Sequence, residues 1–315
     1  MTRSSKPKSG SMQFWHRKRA KRIYPRVRSF SKNAKIPGFA GYKVGMTHAI
    51  VVDNRQHSAT KGDKIFTPIT IVECPPLKTL SLRFYKKTPY GLKLLTEIFS
   101  KKLDKELGRK IKLPKKTKEI KIPEDYDELR LLFYTQPKLT GLEKKKPEIF
   151  EVLFNGELEE AKNYLDKEIK VTDVFKPGQR IDIHAVTKGK GLQGVIKRFG
   201  VSLKSHKSEK KRRSTGNLGA WTPKKVSPTV AQKGQMGYHV RTEYNKQILK
   251  IDSDPKKINQ VGGFKRFGLV KNDYILLRGS IAGPTKRLIR LTTSIRGKKD
   301  LEAPEFSFLS LKSKQ

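Results

Sequence analysis

Cysteine is nearly absent from this sequence: Cys74 stands alone in 315 residues. A disulfide within the chain is therefore impossible, as is a zinc site built on cysteine pairs. One free thiol fits a reducing compartment. Long apolar runs are missing too. No stretch approaches the ~18 residues that span a bilayer, and the basic N-terminus lacks the apolar segment of a secretory signal. Acidic residues are scarce: 29 Asp and Glu face 71 Lys and Arg, for a formal net charge of +42. A compact monomer with that charge repels itself, and a polyanionic partner is the simplest compensation. Nucleic acid fits, because neutralised phosphates release counterions. An anionic membrane would call for amphipathic helices with aromatic and leucine faces. The most basic stretches are broken by Gly and Pro instead, so no membrane partner is expected.

What remains is sufficient for a core. The chain is 35% hydrophobic, with 15 Phe and 10 Tyr, and its length allows one large domain or two ordinary ones at about 100–200 residues each. Charge is unevenly placed. The first acid is Asp53, and residues 188–250 contain only Glu209 and Glu243 as acids. Residues 97–176, in contrast, hold 17 of the 29 acids against 19 Lys and Arg. Two basic binding surfaces and one solvent-facing region are the expectation.

Residues 1–36 mix cations with Phe14, Trp15, Tyr24 and Phe30 and show no period. They read as an extended arm that orders only on its partner, its rings suited to base stacking. Short strands are expected at 48–52 and 70–73, the second ended by Pro75-Pro76. His48, Ile50 and Val52 fall on one face and Ala49 and Val51 on the other, which suits a barrel wall or covered sheet. Residues 90–107 read as a helix, because Leu92, Leu95, Phe99 and Leu103 recur at three to four residue steps before Gly108. Residues 109–148 read as loop, 148–155 as a strand and 157–165 as a short helix. Strands return at 180–187, 247–251, 274–278 and 288–292. Their spacing favours an all-β barrel over a doubly wound sheet.

Gly189-Lys190-Gly191-Leu192-Gln193-Gly194 fits the dinucleotide fingerprint letter by letter. The fingerprint also needs a helix on a parallel sheet and an acid about 20 residues on. Here a Lys/Arg run follows, so no nicotinamide cofactor and no small-molecule substrate is expected. The glycines instead let the backbone approach a phosphate, with Lys188, Lys190 and Lys197 supplying charge. The six histidines lack metal-ligand spacing, no metal is expected, and His184 on a strand face reads as a structural histidine. No nucleophile elbow or acid/base pair stands out, so the chain does not read as an enzyme.

The stretch 204–250 is the most informative. Lys204, His206, Lys207, Lys210, Lys211, Arg212 and Arg213 lead into Ser214-Thr215-Gly216-Asn217-Leu218-Gly219-Ala220-Trp221-Thr222-Pro223. The return is Gly234-Gln235-Met236-Gly237-Tyr238-His239-Val240-Arg241. So few apolar residues over some forty positions cannot build a core, and a structureless loop of that length implies function. It reads as a long finger reaching into RNA, with Gly219, Trp221 and Pro223 at the tip. There Trp221 can stack on a base; the alternative is an ordinary core tryptophan.

At these residues the sequence resembles the universal ribosomal protein L three family of the large subunit. Gly38-Phe39-Ala40-Gly41-Tyr42-Lys43-Val44-Gly45-Met46-Thr47 is similar to its barrel signature. In chain order, Val171-Thr172-Asp173-Val174-Phe175 with Pro177-Gly178 resembles the stretch before its central strand. Lys188-Gly189-Lys190-Gly191 with Gln193-Gly194 and Lys197-Arg198-Phe199-Gly200 resembles the start of its finger, and Gly219-Ala220-Trp221 with Gly234 to His239 the finger tip and its return. The basic arm, the insertion and Trp221 resemble archaeal and eukaryotic members. The resemblance implies a mainly β fold with an α/β insertion: a six-stranded translation-protein-type β-barrel with a long basic finger and extended N- and C-terminal arms. The implied divisions are an arm over 1–36 and a barrel core over 37–81 and 169–295, interrupted by a mixed helical insertion over 82–168. The finger covers 188–250 and a tail 296–315. The implied role is a structural constituent of the large subunit in cytoplasmic ribosomes. It binds large-subunit rRNA directly near the RNA's 3′ domain, acts early in assembly and extends its finger toward the peptidyl transferase centre. Its partners are that rRNA and neighbouring large-subunit proteins, not further copies of itself. The candidate RNA-binding residues are Arg17, Arg19, Arg22, Lys188, Lys190, Lys197, Arg198, Lys207, Lys210, Lys211, Arg212, Arg213, Trp221, Lys224, Lys225, Lys233, His239, Arg241 and Lys246. A free-standing nucleic-acid-binding factor is the competing class.

Overall fold

β1 (Gly38–Val52) and β2 (Lys64–Glu73) form a long antiparallel pair whose register runs from Tyr42 opposite Glu73 to Val52 opposite Lys64. Gly41 is required by this packing: a Cβ there would lie 2.7 Å from Cys74 Sγ, the Glu73 carbonyl oxygen and a Val72 methyl. Pro75 and Pro76 donate no backbone hydrogen bond, and they separate β2 from β3 (Leu77–Thr88). Then come β4 (Gly91–Phe99), β5 (Glu128–Tyr134), β6 (Ile149–Phe154), helix α1 (Leu158–Asn163) and β7 (Glu168–Ile169). β8 (Arg180–Val186), β9 (Leu192–Gln193), helix α2 (Val195–Phe199), β10 (Gly234–Gln235) and β11 (Val240–Asp252) follow. The last strands are β12 (Tyr274–Arg278), β13 (Leu288–Thr293) and β14 (Phe306–Leu309). This computed structural model describes residues 16–113, 121–208, 210–222, 224–297 and 301–312.

The fold is mainly β, and its larger sheet runs β13-β8-β11-β12-β2-β1-β14. β1 also pairs with β13, Gly38 lying opposite Thr292. The six strands β13, β8, β11, β12, β2 and β1 thus form a continuous circuit, with β14 added to β1. A second sheet has the order β4-β3-β5-β6, with β7 on β3. One hydrophobic cluster takes side chains from both sheets, among them Phe39, Tyr42, Ile71, Phe84, Phe133, Val152, Ile183 and Ile289.

The chain divides into two compact units: residues 23–186 with 241–315, and residues 187–240 with the N-terminal segment up to residue 22. The first holds both of these sheets and the core.

Several expectations need correction. Residues 90–107 are not helical: they hold β4 and a 3-10 turn at Lys105–Arg109. Gly91, at φ +119°, closes a hairpin in which β3 offers β4 a full ladder from Thr88 opposite Gly91 to Ser81 opposite Phe99. Tertiary pairing overrides the helical spacing of the leucines. Residues 109–148 are not all loop, because β5 lies within them. Leu131 and Phe133 enter the main cluster, while Leu132 and Tyr134 join Leu80 and Leu107 in a smaller one. A strand covered on both faces shows no alternation. The stretch 82–168 is therefore strand-rich rather than mixed helical, with α1 as its α-helix among the described residues.

Residues 23–36 are not a free arm. Tyr24, Val27 and Ile36 are buried, and the Tyr24 hydroxyl donates to the Ile149 carbonyl oxygen at 2.9 Å. The tail is not wholly extended either, since β14 pairs with β1. The expected strands at 148–155, 180–187, 274–278 and 288–292 are present as β6, β8, β12 and β13. Those at 48–52, 70–73 and 247–251 are parts of the longer β1, β2 and β11.

Candidate nucleic-acid interface

The unit of residues 187–240 and the N-terminal segment carries 21 Lys and Arg against one acid, Glu209. Its base is a narrow ladder. Gln193 and Leu192 of β9 pair with Gly234 and Gln235 of β10. The ladder continues as Met236 N donates to Gly191 O and Lys190 N to Met236 O, both at 2.9 Å. Gly237 must be glycine: its φ is +73°, and a Cβ would lie 2.1 Å from the Lys188 carbonyl oxygen. The glycines of 189–194 thus serve an antiparallel return. α2, only five residues long, ends at Gly200 in the left-handed conformation.

The N-terminal segment is hydrogen-bonded to the same ladder. Ala20 N donates to Tyr238 O at 2.8 Å, and His239 Nδ1 lies 3.0 Å from Lys18 O. Arg17 donates to Arg198 O at 3.1 Å, with its guanidinium 4.0 Å from the Phe199 ring centroid. Arg19 lies over Tyr238.

These contacts divide the candidate residues. His239 is 5% exposed and its ring is engaged with Lys18 O, so unlike the exposed candidates it offers little surface. Arg198 is also structural, donating through Nε to Gln235 O at 3.0 Å and through Nη1 to Gln232 O at 2.9 Å. Arg17 is half-buried by its stacking. Arg241 and Lys246 belong to the other unit. Burial pulls the Arg241 guanidinium below its ordinary range, and Lys246 Nζ donates to Ser280 O at 2.9 Å and pairs with Glu243 at 3.2 Å. Lys188, Lys190, Lys197, Lys207, Lys210, Lys211, Arg212, Arg213, Lys224, Lys225 and Lys233 are all exposed, as are Arg19 and Arg22.

Trp221 is 83% exposed, which excludes the core alternative. Its carbonyl oxygen accepts from Lys224 N at 2.8 Å, and Lys224 Nζ sits 5.8 Å from its ring centroid. Gly219, at φ +126°, donates its N–H to Asn217 Oδ1 at 2.8 Å. Pro223, expected beside them, lies outside the described residues, as do Phe14 and Trp15. A bare indole among cations can stack on a nucleobase while the amines neutralise phosphates. Lys190, Gln193, Lys197 and Met236 line an open depression of about 590 Å³, which combines two cations, an amide and an apolar wall.

No three His, Cys, Asp or Glu side chains gather as a metal site among the described residues, and none of their helices is long and apolar enough to cross a membrane. His184 has Thr242 Oγ1 at 3.0 Å and Thr292 Oγ1 at 2.9 Å. Burial, aided by the nearby Arg290 charge, lowers its pKa to about 4. Lys265 and Arg266, both exposed among the glycines at 262, 263 and 268, are not among the residues expected from the sequence to bind RNA.

Residues 1–315 match the family described as ribosomal protein L3. The large ribosomal subunit protein uL3 of Methanobrevibacter smithii is 45% identical, with 100% of this chain and 99% of the relative covered. The uL3 proteins of Methanosphaera stadtmanae and Archaeoglobus fulgidus are 47% and 43% identical. Their alignments cover 100% and 98% of this chain and 99% and 98% of the relatives.

Proposed function

The chain belongs to the ribosomal protein L3 family, and from that premise we propose that it is a structural constituent of the large ribosomal subunit that binds large-subunit rRNA directly. The family is one of ribosomal components and not of enzymes, and the place of this chain is the cytoplasmic ribosome. The observation that carries the RNA reading is the 187–240 segment, whose exposed cations face no described carboxylate of their own unit and whose Trp221 is 83% exposed. Folded alone, such a surface is self-repelling. Against phosphate it gains counterion release, and the indole gains a stacking partner.

In this reading the circuit of six strands is the translation-protein-type barrel, and residues 188–250 include the finger. The finger points toward the peptidyl transferase centre, where Trp221 tunes the conformation of nearby RNA. The chain binds near the 3′ domain of the rRNA and joins early in assembly. Neighbouring large-subunit proteins are its other partners, and it takes part as a single copy.

Co-sedimentation with salt-washed large subunits, followed by crosslinking, tests this. Retention on the subunit with crosslinks from 210–233 to RNA near the catalytic centre is expected. Release by the salt wash with crosslinks to unrelated RNAs would make the chain a free nucleic-acid-binding factor.

A further inference from the structure

The loop joining β11 to β12 is more constrained than a connection requires. Its apex reads Gly263-Phe264-Lys265-Arg266-Phe267-Gly268. Phe264 and Phe267 are both buried in the main core. Between them the backbone closes on itself: Phe264 N donates to Gly268 O at 2.9 Å, and Gly268 N to Phe264 O at 3.0 Å. Asn259 clamps the base, donating through Nδ2 to Val270 O at 3.0 Å and accepting from Val270 N at 2.9 Å. The loop's end is fixed from β2. Buried Glu73 accepts through Oε1 from Lys271 N, Asn272 N and Asn272 Nδ2 at 2.9, 3.0 and 2.8 Å.

These restraints hold Lys265 and Arg266 side by side, both exposed, between two buried rings. Arg266 has φ +67°, a left-handed conformation that glycine would take without penalty. Surrounding contacts that over-determine such a residue are characteristic of binding positions. Among the described residues neither cation has an ion-pair partner, whereas Lys250 and Lys257 near the start of the loop are paired with Asp252. Val261, 90% exposed, flanks the apex. Adjacent Lys and Arg without a carboxylate suit phosphate oxygens, which a guanidinium fork can bind in two places. An apolar neighbour can lie against ribose.

We propose that residues 260–271 form a preformed clamp for an RNA phosphate backbone, a contact made by the unit of the two sheets and distinct from the 187–240 segment. The inference rests on the RNA-bound reading above.

The full-length variant Lys265→Ala/Arg266→Gly tests it. Glycine accepts the left-handed backbone and both phenylalanine anchors remain, so the melting temperature is expected to hold or rise. Affinity for transcribed large-subunit rRNA is expected to fall about tenfold, and the salt dependence to flatten by about one to two units of slope. Unchanged affinity and slope would overturn the clamp. Because Cys74 is buried, Lys265→Cys provides a single accessible thiol for a photo-crosslinker in assembled subunits, and Lys225→Cys provides the same in the 187–240 segment. RNA crosslinks from both positions are expected. Crosslinks from 225 to RNA but from 265 only to protein, or to nothing, would overturn the clamp alone. No RNA crosslink from either position, with no salt-dependent binding by the wild type, would overturn the RNA-bound reading itself.

Discussion

Gly237 approaches Lys188 so closely that a Cβ would stand 2.1 Å from the Lys188 carbonyl oxygen. The same glycine has a φ of +73°. Both facts make the return of the 187–240 segment dependent on one hydrogen atom in place of a methyl. Gly237→Ala is expected to cost more than ~1 kcal/mol, since alanine meets both an unfavourable backbone region and a fixed backbone atom. Hydrogen exchange checks this: protection at Lys190 and Met236 should fall, while β12 and β13 keep theirs. Unchanged protection would mean that the ladder tolerates a shift.

Trp221→Ala is expected to leave folding stability within about 0.5 kcal/mol of wild type, because the indole is exposed and supports no core. RNA binding should respond differently. A stacked base is worth about 1–3 kcal/mol by alanine substitution, so a reduction of that size in rRNA affinity is expected. Reduced stability with intact affinity would reverse the assignment.

The exposed cations should act as point charges. Replacing Arg212, Arg213, Lys224 and Lys225 with alanine is expected to flatten the dependence of log affinity on log salt by roughly 0.7–0.9 for each phosphate no longer neutralised. Titrations of rRNA binding at several salt concentrations measure it. A parallel drop in affinity at unchanged slope would show that these side chains do not reach phosphates.

His184 makes stability pH-dependent. Its folded pKa of about 4 lies below the ordinary 6.5, so below pH 6.5 the unfolded chain binds a proton that the folded chain refuses. The stabilisation is full above pH 6.5 and is lost progressively as pH falls toward 4, by an amount on the order of 3 kcal/mol. Urea midpoints between pH 4 and 7 should therefore slope less steeply in His184→Gln than in wild type. Equal slopes would place the acid sensitivity elsewhere.

Sequence by itself determined the charge, and with it the expected class of partner. Counting Lys and Arg needs no geometry, and a polyanion is the simplest compensation for +42 whatever the fold. Strands such as β12 and β13 were legible because short apolar runs bounded by polar or turn residues encode them within a few positions. The ordered signatures from Gly38 to His239 were enough to indicate the family.

Tertiary structure decided what depends on distant partners. β4 carries helical spacing and β5 carries no period, and each became a strand because β3 offered a backbone to pair with. Arg17, Arg198 and His239 look like three more free cations or RNA ligands in the sequence. Folding joins positions some 180 and 220 residues apart, and their hydrogen bonds are used internally. Lys265 and Arg266 look in the sequence like two ordinary cations among many. Only the fold brings Glu73 to Lys271 and Asn272 and buries Phe264 and Phe267. Composition fixes how much charge a chain has; burial and non-local hydrogen bonds fix which charges remain available to a partner.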